Sequence, residues 1–216
     1  VKVAPSIIAA DFTKLHSEIR AVEKARPHYL HLDVMDGVFV PNITFGPMIV
    51  DAIDRMTTLK LDVHLMITKP ERYLKQFIEA GADLVSFHLE ATRKPRYCIR
   101  SIRSSGKKAG LAISPGTPFE PVIPYLSNLD FILIMSVHPG FYGQKFITPM
   151  LKKIEQARAY LKRHHEKYLI EVDGGIYAEN ACRLKSAGAD IIVSGAGVFK
   201  TGNYTRAIAR LQCSTD

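Results

Sequence analysis

The chain has 216 residues, 47% hydrophobic and 23% charged, enough for one sizeable globular core in a single domain over 1–216. No apolar run approaches the roughly 18–20 residues of a membrane span, and the opening residues lack a signal-peptide apolar region, so a cytoplasmic protein is expected. A net charge of +8 favours anionic partners, but the basic residues are scattered over predicted helices, so a phosphorylated small molecule is expected rather than nucleic acid.

In chain order, an apolar, β-branched strand at 2–8 leads to a helix at 11–25, and a strand at 29–35 to a helix at 47–57. Strands at 60–66 and 84–88 precede helices at 70–80 and 95–105; strands at 109–113 and 131–137 precede helices at 118–127 and 148–164. The last pairs are 168–173 with 177–187, and 190–194 with 203–212. Thr68 with Pro70 and Glu71 has the spacing of a capping box with proline at the first helical position, and Thr117-Pro118 reads as a second helix start. Gly81 and Gly188, each in Ala-Gly-Ala-Asp, read as helix C-caps. Cys98, Cys182 and Cys213 are odd in number and share no Cys-x-x-Cys spacing, which predicts ordinary thiols in a reducing compartment. Eight strand–helix units in so short a chain predict an α/β fold, a single (β/α)8 TIM barrel. An open doubly wound sheet would want Gly-x-Gly-x-x-Gly after its first strand, where this chain has Ile8-Ala-Ala-Asp11.

Residues i and i+2 of a strand face the same way. Parity therefore turns Ser6, His31, Asp33, Met35, His64 and Asp173 into the barrel, near the C-terminal strand ends where sites of this fold lie. Two histidines and two carboxylates converging there predict a divalent metal held by His31, Asp33, His64 and Asp173. Nitrogen and oxygen donors without thiolate suit Zn²⁺ or Fe²⁺ foremost, with Mn²⁺ and Co²⁺ also accommodated. Asp62 shares the parity of His64 one layer deeper; it is either a partner that orients an imidazole or a solvated strand-start carboxylate. Met35, Met66 and Met135 fall on inward positions of the same upper layer, as gap-filling core or as an apolar wall that excludes water. Asp36 has the opposite parity and reads as a turn residue before Gly37.

The second half of the chain supplies glycine at the same end. His138-Pro-Gly140-Phe141-Tyr142-Gly143-Gln144 follows the sixth strand, Asp173-Gly174-Gly175-Ile176 the seventh, and Ser194-Gly195-Ala196-Gly197 the eighth. Three such loops on adjacent strands predict a phosphate cradle of backbone N–H groups.

With these residues placed, the chain resembles the ribulose-phosphate 3-epimerase family over nearly its whole length. The resemblance is carried by Pro5-Ser-Ile-Ile-Ala-Ala-Asp-Phe12, His31 to Gly37 continuing to Asn42, Asp62-Val-His-Leu-Met66, Met135-Ser-Val-His-Pro-Gly140 and Glu171-Val-Asp-Gly-Gly175. It implies a barrel of the ribulose-phosphate-binding type and a metal-dependent isomerase of the pentose phosphate pathway. Asp33 and Asp173 would be the acid–base pair, interconverting D-ribulose 5-phosphate and D-xylulose 5-phosphate through an enediolate. It also implies a substrate contact at Ser6 and assembly into a dimer or larger homo-oligomer. Substrate contacts are expected from His64, Asp173 and the glycine loops. The phosphate loops depart from the commonest family pattern at Tyr142 for Gly, His138 for Asn and Ala196 for Ser, which bears on substrate identity more than on reaction type. The alternatives are a 3-epimerase of a hexulose 6-phosphate such as allulose 6-phosphate, and a lyase or decarboxylase on a related barrel. The latter would want Asp-x-Lys-x-x-Asp where this chain has Asp62-Val-His64-Leu-Met-Ile67.

Overall fold

The structure, a computed structural model, describes residues 1–213. Eight parallel strands form one sheet: β1 (Lys2–Pro5), β2 (Leu30–Met35), β3 (Leu61–Met66), β4 (Leu84–His88), β5 (Lys108–Ile113), β6 (Phe131–Met135), β7 (Leu169–Asp173) and β8 (Ile191–Ser194). From β2 to β8 each strand pairs with the next in sequence, and β1 pairs with β8. The remaining edge, between β1 and β2, is drawn together by a single Ser6–His31 bridge and by His28 N–H donating to Val3 O at 3.0 Å. The result is a nearly closed TIM barrel, as the alternating pattern predicted.

The α-helices are α1 (Leu15–Lys24), α2 (Pro47–Asp54), α3 (Leu74–Glu79), α4 (Pro95–Ser104), α5 (Met150–His164), α6 (Ala178–Ala187), α7 (Ala196–Phe199) and α8 (Tyr204–Leu211). Between barrel and helices lies the main apolar core, built from the outward parity of each strand, such as Leu30, Leu32 and Val34 on β2. The inward parity fills the barrel itself. Ala4, Tyr29, Leu84, Phe131, Ile191 and Val193 form its floor, while Ala112, Leu133 and Met135 line the β5–β6 side higher up.

Several local expectations are corrected. The segment expected as a helix at 118–127 is a 3-10 run, Glu120–Asn128, because Pro121 and Pro124 remove N–H donors from an α ladder. Residues 70–80 split into a 3-10 turn, Pro70–Arg72, and the short α3. Thr68 does not cap it: the cap position is Lys69 in the left-handed region, and Thr68 N–H instead donates to Asp36. Thr117 likewise caps nothing; its hydroxyl is taken by Glu90. The first strand stops at Pro5, where Ser6 opens a 3-10 turn, and the sixth stops at Met135. The four-residue α7 after β8 is additional to the predicted set. Gly188 does cap α6 in the left-handed region, as read from sequence. Cys182 and Cys213 are joined as a disulfide with Cα atoms 5.6 Å apart, tying α6 to the end of α8, so only Cys98 is a thiol and the thiol argument for a reducing compartment falls away. No helix among the described residues is long and apolar enough to cross a membrane.

One pairing in the barrel floor is sharply constrained. Gly110 lies opposite Phe131 in register, and a Cβ on Gly110 would sit 2.3 Å from the Phe131 ring. The missing side chain of one strand is the space the other strand's ring fills. Gly110→Ala is therefore expected to destabilise by about 1–3 kcal/mol through overpacking. The double variant with Phe131→Leu should lose less than the sum of the two single changes, a coupling that denaturant titrations of the four proteins measure.

Candidate active site

The register of β2 against β3 sets opposite each other two pairs of inward residues, His31 with Asp62 and Asp33 with His64. All four are buried, so their polar atoms must find partners within the protein. His31 Nδ1 donates to Asp62 Oδ2 at 2.6 Å, which makes Asp62 an orienting partner and rules out its solvated alternative. Asp33 Oδ2 accepts the Ser6 hydroxyl at 2.5 Å across the β1–β2 seam, and Thr44 Oγ1 donates to Asp33 O at 2.7 Å. Asp33 Oδ1 lies 3.4 Å from His31 Nε2 and 3.4 Å from His64 Nδ1; Asp173 Oδ2 is 3.9 Å from His64 Nδ1.

The four sequence-predicted ligands thus converge. One donor atom from each of His31, Asp33, His64 and Asp173 lies within 4.8 Å of all the others. The fit to a divalent cation rests on His31 Nε2. That atom is buried and makes no hydrogen bond, while the other ring nitrogen is held by Asp62, the arrangement in which a histidine presents its free nitrogen to a metal.

The electrostatics separate the two carboxylates. Burial pushes Asp173 up to about 7, reinforced by the negative charge of Asp33. Burial acts on Asp33 in the same direction, but the positive charge of His31 and the contact with His64 outweigh it and hold Asp33 well below the usual carboxylate range. Two acids whose surroundings drive them apart are suited to opposite proton-transfer roles. Burial lowers His64 to about 4, so its imidazole is neutral near pH 7, as a ligand must be. Burial also disfavours a charged His31, but the charges of Asp62 and Asp33 more than reverse this and raise it well above its ordinary value.

A cavity opens above this set. Ser6, Asp33 and Asp173 line its base, Met35, Met66 and Met135 its apolar wall, and Gly140 to Gly143, Gly174, Gly175, Gly195 and Ala196 its rim. Phe141 and Tyr142 stand half-exposed at the lip. His31 and His64 are fully buried and do not line it; His64 faces the carboxylates of Asp33 and Asp173 instead. Gln144 Nε2 braces the loop after β6 by donating to His138 O and Phe141 O at 2.7 and 2.8 Å. Gly175, at φ +65°, packs so closely on that loop that a Cβ would sit 2.4 Å from Phe146 N, so only glycine lets the two loops meet. Asp36 is the turn residue expected of it, its Oδ1 accepting from the N–H groups of Val38 and Phe39 at 2.8 Å each.

Two buried groups escaped the sequence reading. Glu171 lies fully buried below Asp173, with neither carboxylate oxygen hydrogen-bonded. Burial and then the neighbouring charge of Asp62 raise it well above an ordinary carboxylate. His88, at the end of β4, is also fully buried, its Nε2 2.9 Å from His64 Nε2. The parity that found His64 applies equally to Glu171, two before Asp173, and to His88, two after Ser86.

The model of the ribulose-phosphate 3-epimerase family matches residues 2–199. The chain is 48% identical over 216 residues to a ribulose-phosphate 3-epimerase of Synechocystis sp., covering 99% of this chain and 94% of that one. It is 45% identical over 215 residues to the ribulose-phosphate 3-epimerase of Bacillus subtilis, covering 99% of each. Among solved structures, 3-hexulose-6-phosphate synthase from Salmonella typhimurium superposes with a TM-score of 0.71 at 15% identity, over 99% of this chain and 97% of that one. A mutant tryptophan synthase alpha-subunit from Pyrococcus furiosus gives 0.72 at 14%, over 99% and 98%; both likenesses are of fold alone.

The protonation pattern has a measurable consequence. A cation entering the four-residue site displaces the proton on His31, which the charges of Asp62 and Asp33 hold there well above the ordinary histidine range. Apparent affinity for Zn²⁺ is therefore expected to rise as pH increases from 6 to 8, with a slope in log affinity of about one per displaced proton. Competition titrations against a chelator of known pH dependence measure it.

Proposed function

This chain belongs to the ribulose-phosphate 3-epimerase family, and we propose that it interconverts D-ribulose 5-phosphate and D-xylulose 5-phosphate by proton transfer at C3. One observation carries the mechanism: Asp33 from β2 and Asp173 from β7 reach the same cavity base with oppositely shifted acidities. Inversion next to a carbonyl needs a base on one face and an acid on the other. Asp33, ionised and held by Ser6, takes the C3 proton of ribulose 5-phosphate; Asp173 returns a proton to the opposite face, and the roles exchange in reverse. His31, Asp33, His64 and Asp173 would hold a divalent ion, which would supply electrophilic stabilisation of the negative charge that develops beside the carbonyl. The three methionines keep water from the planar intermediate, and the glycine loops after β6, β7 and β8 receive the phosphate.

Among the described residues no lysine lines the cavity, which counts against a Schiff-base lyase. Exposed Val38, Ile43 and Met48, on the loop and helix after β2, support assembly into a homo-oligomer.

Asp33→Asn and Asp173→Asn are each expected to lower epimerisation by about 10²–10⁴-fold. The loss is measured with ribulose 5-phosphate in ²H₂O, where wild-type product should carry deuterium at C3. Full activity in both variants overturns the two-carboxylate mechanism. A panel adding hexulose 6-phosphates tests the substrate, the pentulose being turned over faster.

A further inference from the structure

β2 carries Asp33 on the one seam of the barrel that is barely paired. It pairs with β3 on one side, but β1 ends at Pro5, and only the Ser6–His31 bridge joins β2 to it on the other. Above that bridge, at Asp33 and Met35, no strand lies beside β2 on the β1 side. The chain leaving β2 fills the place. It reverses at Gly37, whose N–H donates to Asn42 O at 2.8 Å, and returns antiparallel to its own strand, with Ile43 bridged to Asp36. Thr44 N–H then donates to Met35 O at 3.3 Å.

The Thr44 hydroxyl takes two further backbone groups of β2 at once. It donates to Asp33 O at 2.7 Å and accepts Met35 N–H at 3.0 Å. A hydroxyl has one hydrogen and two lone pairs, so the two bonds form together without conflict. They fall on the two peptide groups that flank Val34, immediately after Asp33. Ser6 therefore aims the Asp33 carboxylate, while Thr44 holds the backbone from which it projects. The returning segment is itself anchored on the loop after β6, where Asn42 Nδ2 donates to Gly140 O at 2.8 Å. Thr44 is half-buried and does not line the reaction cavity.

We propose that Thr44 is a positioning residue for the proton transfer at Asp33, its hydroxyl standing where the backbone of a neighbouring strand would be. It touches neither the substrate nor the reacting atoms. The effect on turnover rests on the two-carboxylate reading above; the hold on the end of β2 does not. Proton transfer depends steeply on the separation of base and carbon, so a loosened Asp33 is read in kcat rather than in KM.

Thr44→Val keeps the shape of the side chain and removes its hydroxyl, whereas Thr44→Ser keeps the hydroxyl. In full-length protein, Thr44→Val is expected to lower kcat about 10-fold with KM within about twofold of wild type. Its Met35 amide should exchange hydrogen about 10-fold faster by NMR. Thr44→Ser should restore kcat to within about threefold of wild type, together with the Met35 protection. If the valine variant does not fold, Thr44→Cys, whose thiol is a weak donor and acceptor, takes its place under the same criteria. Unchanged Met35 exchange in the valine variant overturns the proposal. So does a kcat that is unaffected, a loss confined to KM, or a serine variant no faster than the valine one. Full activity in Asp33→Asn overturns the two-carboxylate reading instead, and Met35 exchange then decides alone whether Thr44 holds the end of β2.

Discussion

The 2.6 Å hydrogen bond from His31 Nδ1 to Asp62 lies in the dry middle of the barrel, and the site above depends on it. Neither group reaches solvent, so each is tolerable only with the other. Holding Nδ1 turns the opposite nitrogen upward, unpaired, toward Asp33. Asp33 is in turn fixed by Ser6 at the seam where β1 and β2 meet with only one bridge. Closure of the barrel and orientation of Asp33 are therefore one arrangement: the residue whose backbone bridges the seam also donates the hydroxyl that aims the carboxylate.

The interior is divided accordingly. β2, β3, β4 and β7 turn polar residues inward, while β5, β6 and β8 contribute chiefly alanine, leucine, isoleucine, valine, methionine and the Phe131 ring. The polar half forms a connected set from Glu171 and Asp62, through His31 and Asp33, to His64, His88 and Glu90. Such a set stabilises the fold little compared with apolar packing, and removing one member leaves its neighbour buried without a partner, a loss of about 3–5 kcal/mol. Its presence in a barrel core is explained by chemistry rather than by stability.

The cavity above combines two kinds of order. Its base is built on strands, whose positions are held by ladder hydrogen bonds on both sides. Its rim is built on loops whose shapes depend on glycine, as where Gly175 meets the backbone of Phe146, and on braces such as Gln144. The proposed proton transfer would draw on the rigid part, and the proposed phosphate seat on backbone N–H groups that side chains do not cover.

Much of this was legible in the chain itself. Period-two alternation determined which residues face inward, so His31, Asp33, His64 and Asp173 could be set together without coordinates, and parity assigned Asp36 to the turn rather than the chemistry. The same rule reached Glu171 and His88 but could not tell what they meet, because a strand's parity gives a side chain's face and not its neighbour. Helix starts misled where threonine hydroxyls and amides found distant carboxylates: Thr68 with Asp36 and Thr117 with Glu90. The disulfide was invisible because Cys182 and Cys213 are 31 residues apart and are brought together by the packing of α6 beside α8. Sequence by itself determined the barrel, its inward face and the convergence of His31, Asp33, His64 and Asp173, since these follow from periodicity along one chain. Only the tertiary structure decided the partners: Asp62 for His31, Ser6 for Asp33, His88 for His64. Those depend on the register and closure of strands far apart in sequence, which local periodicity does not encode.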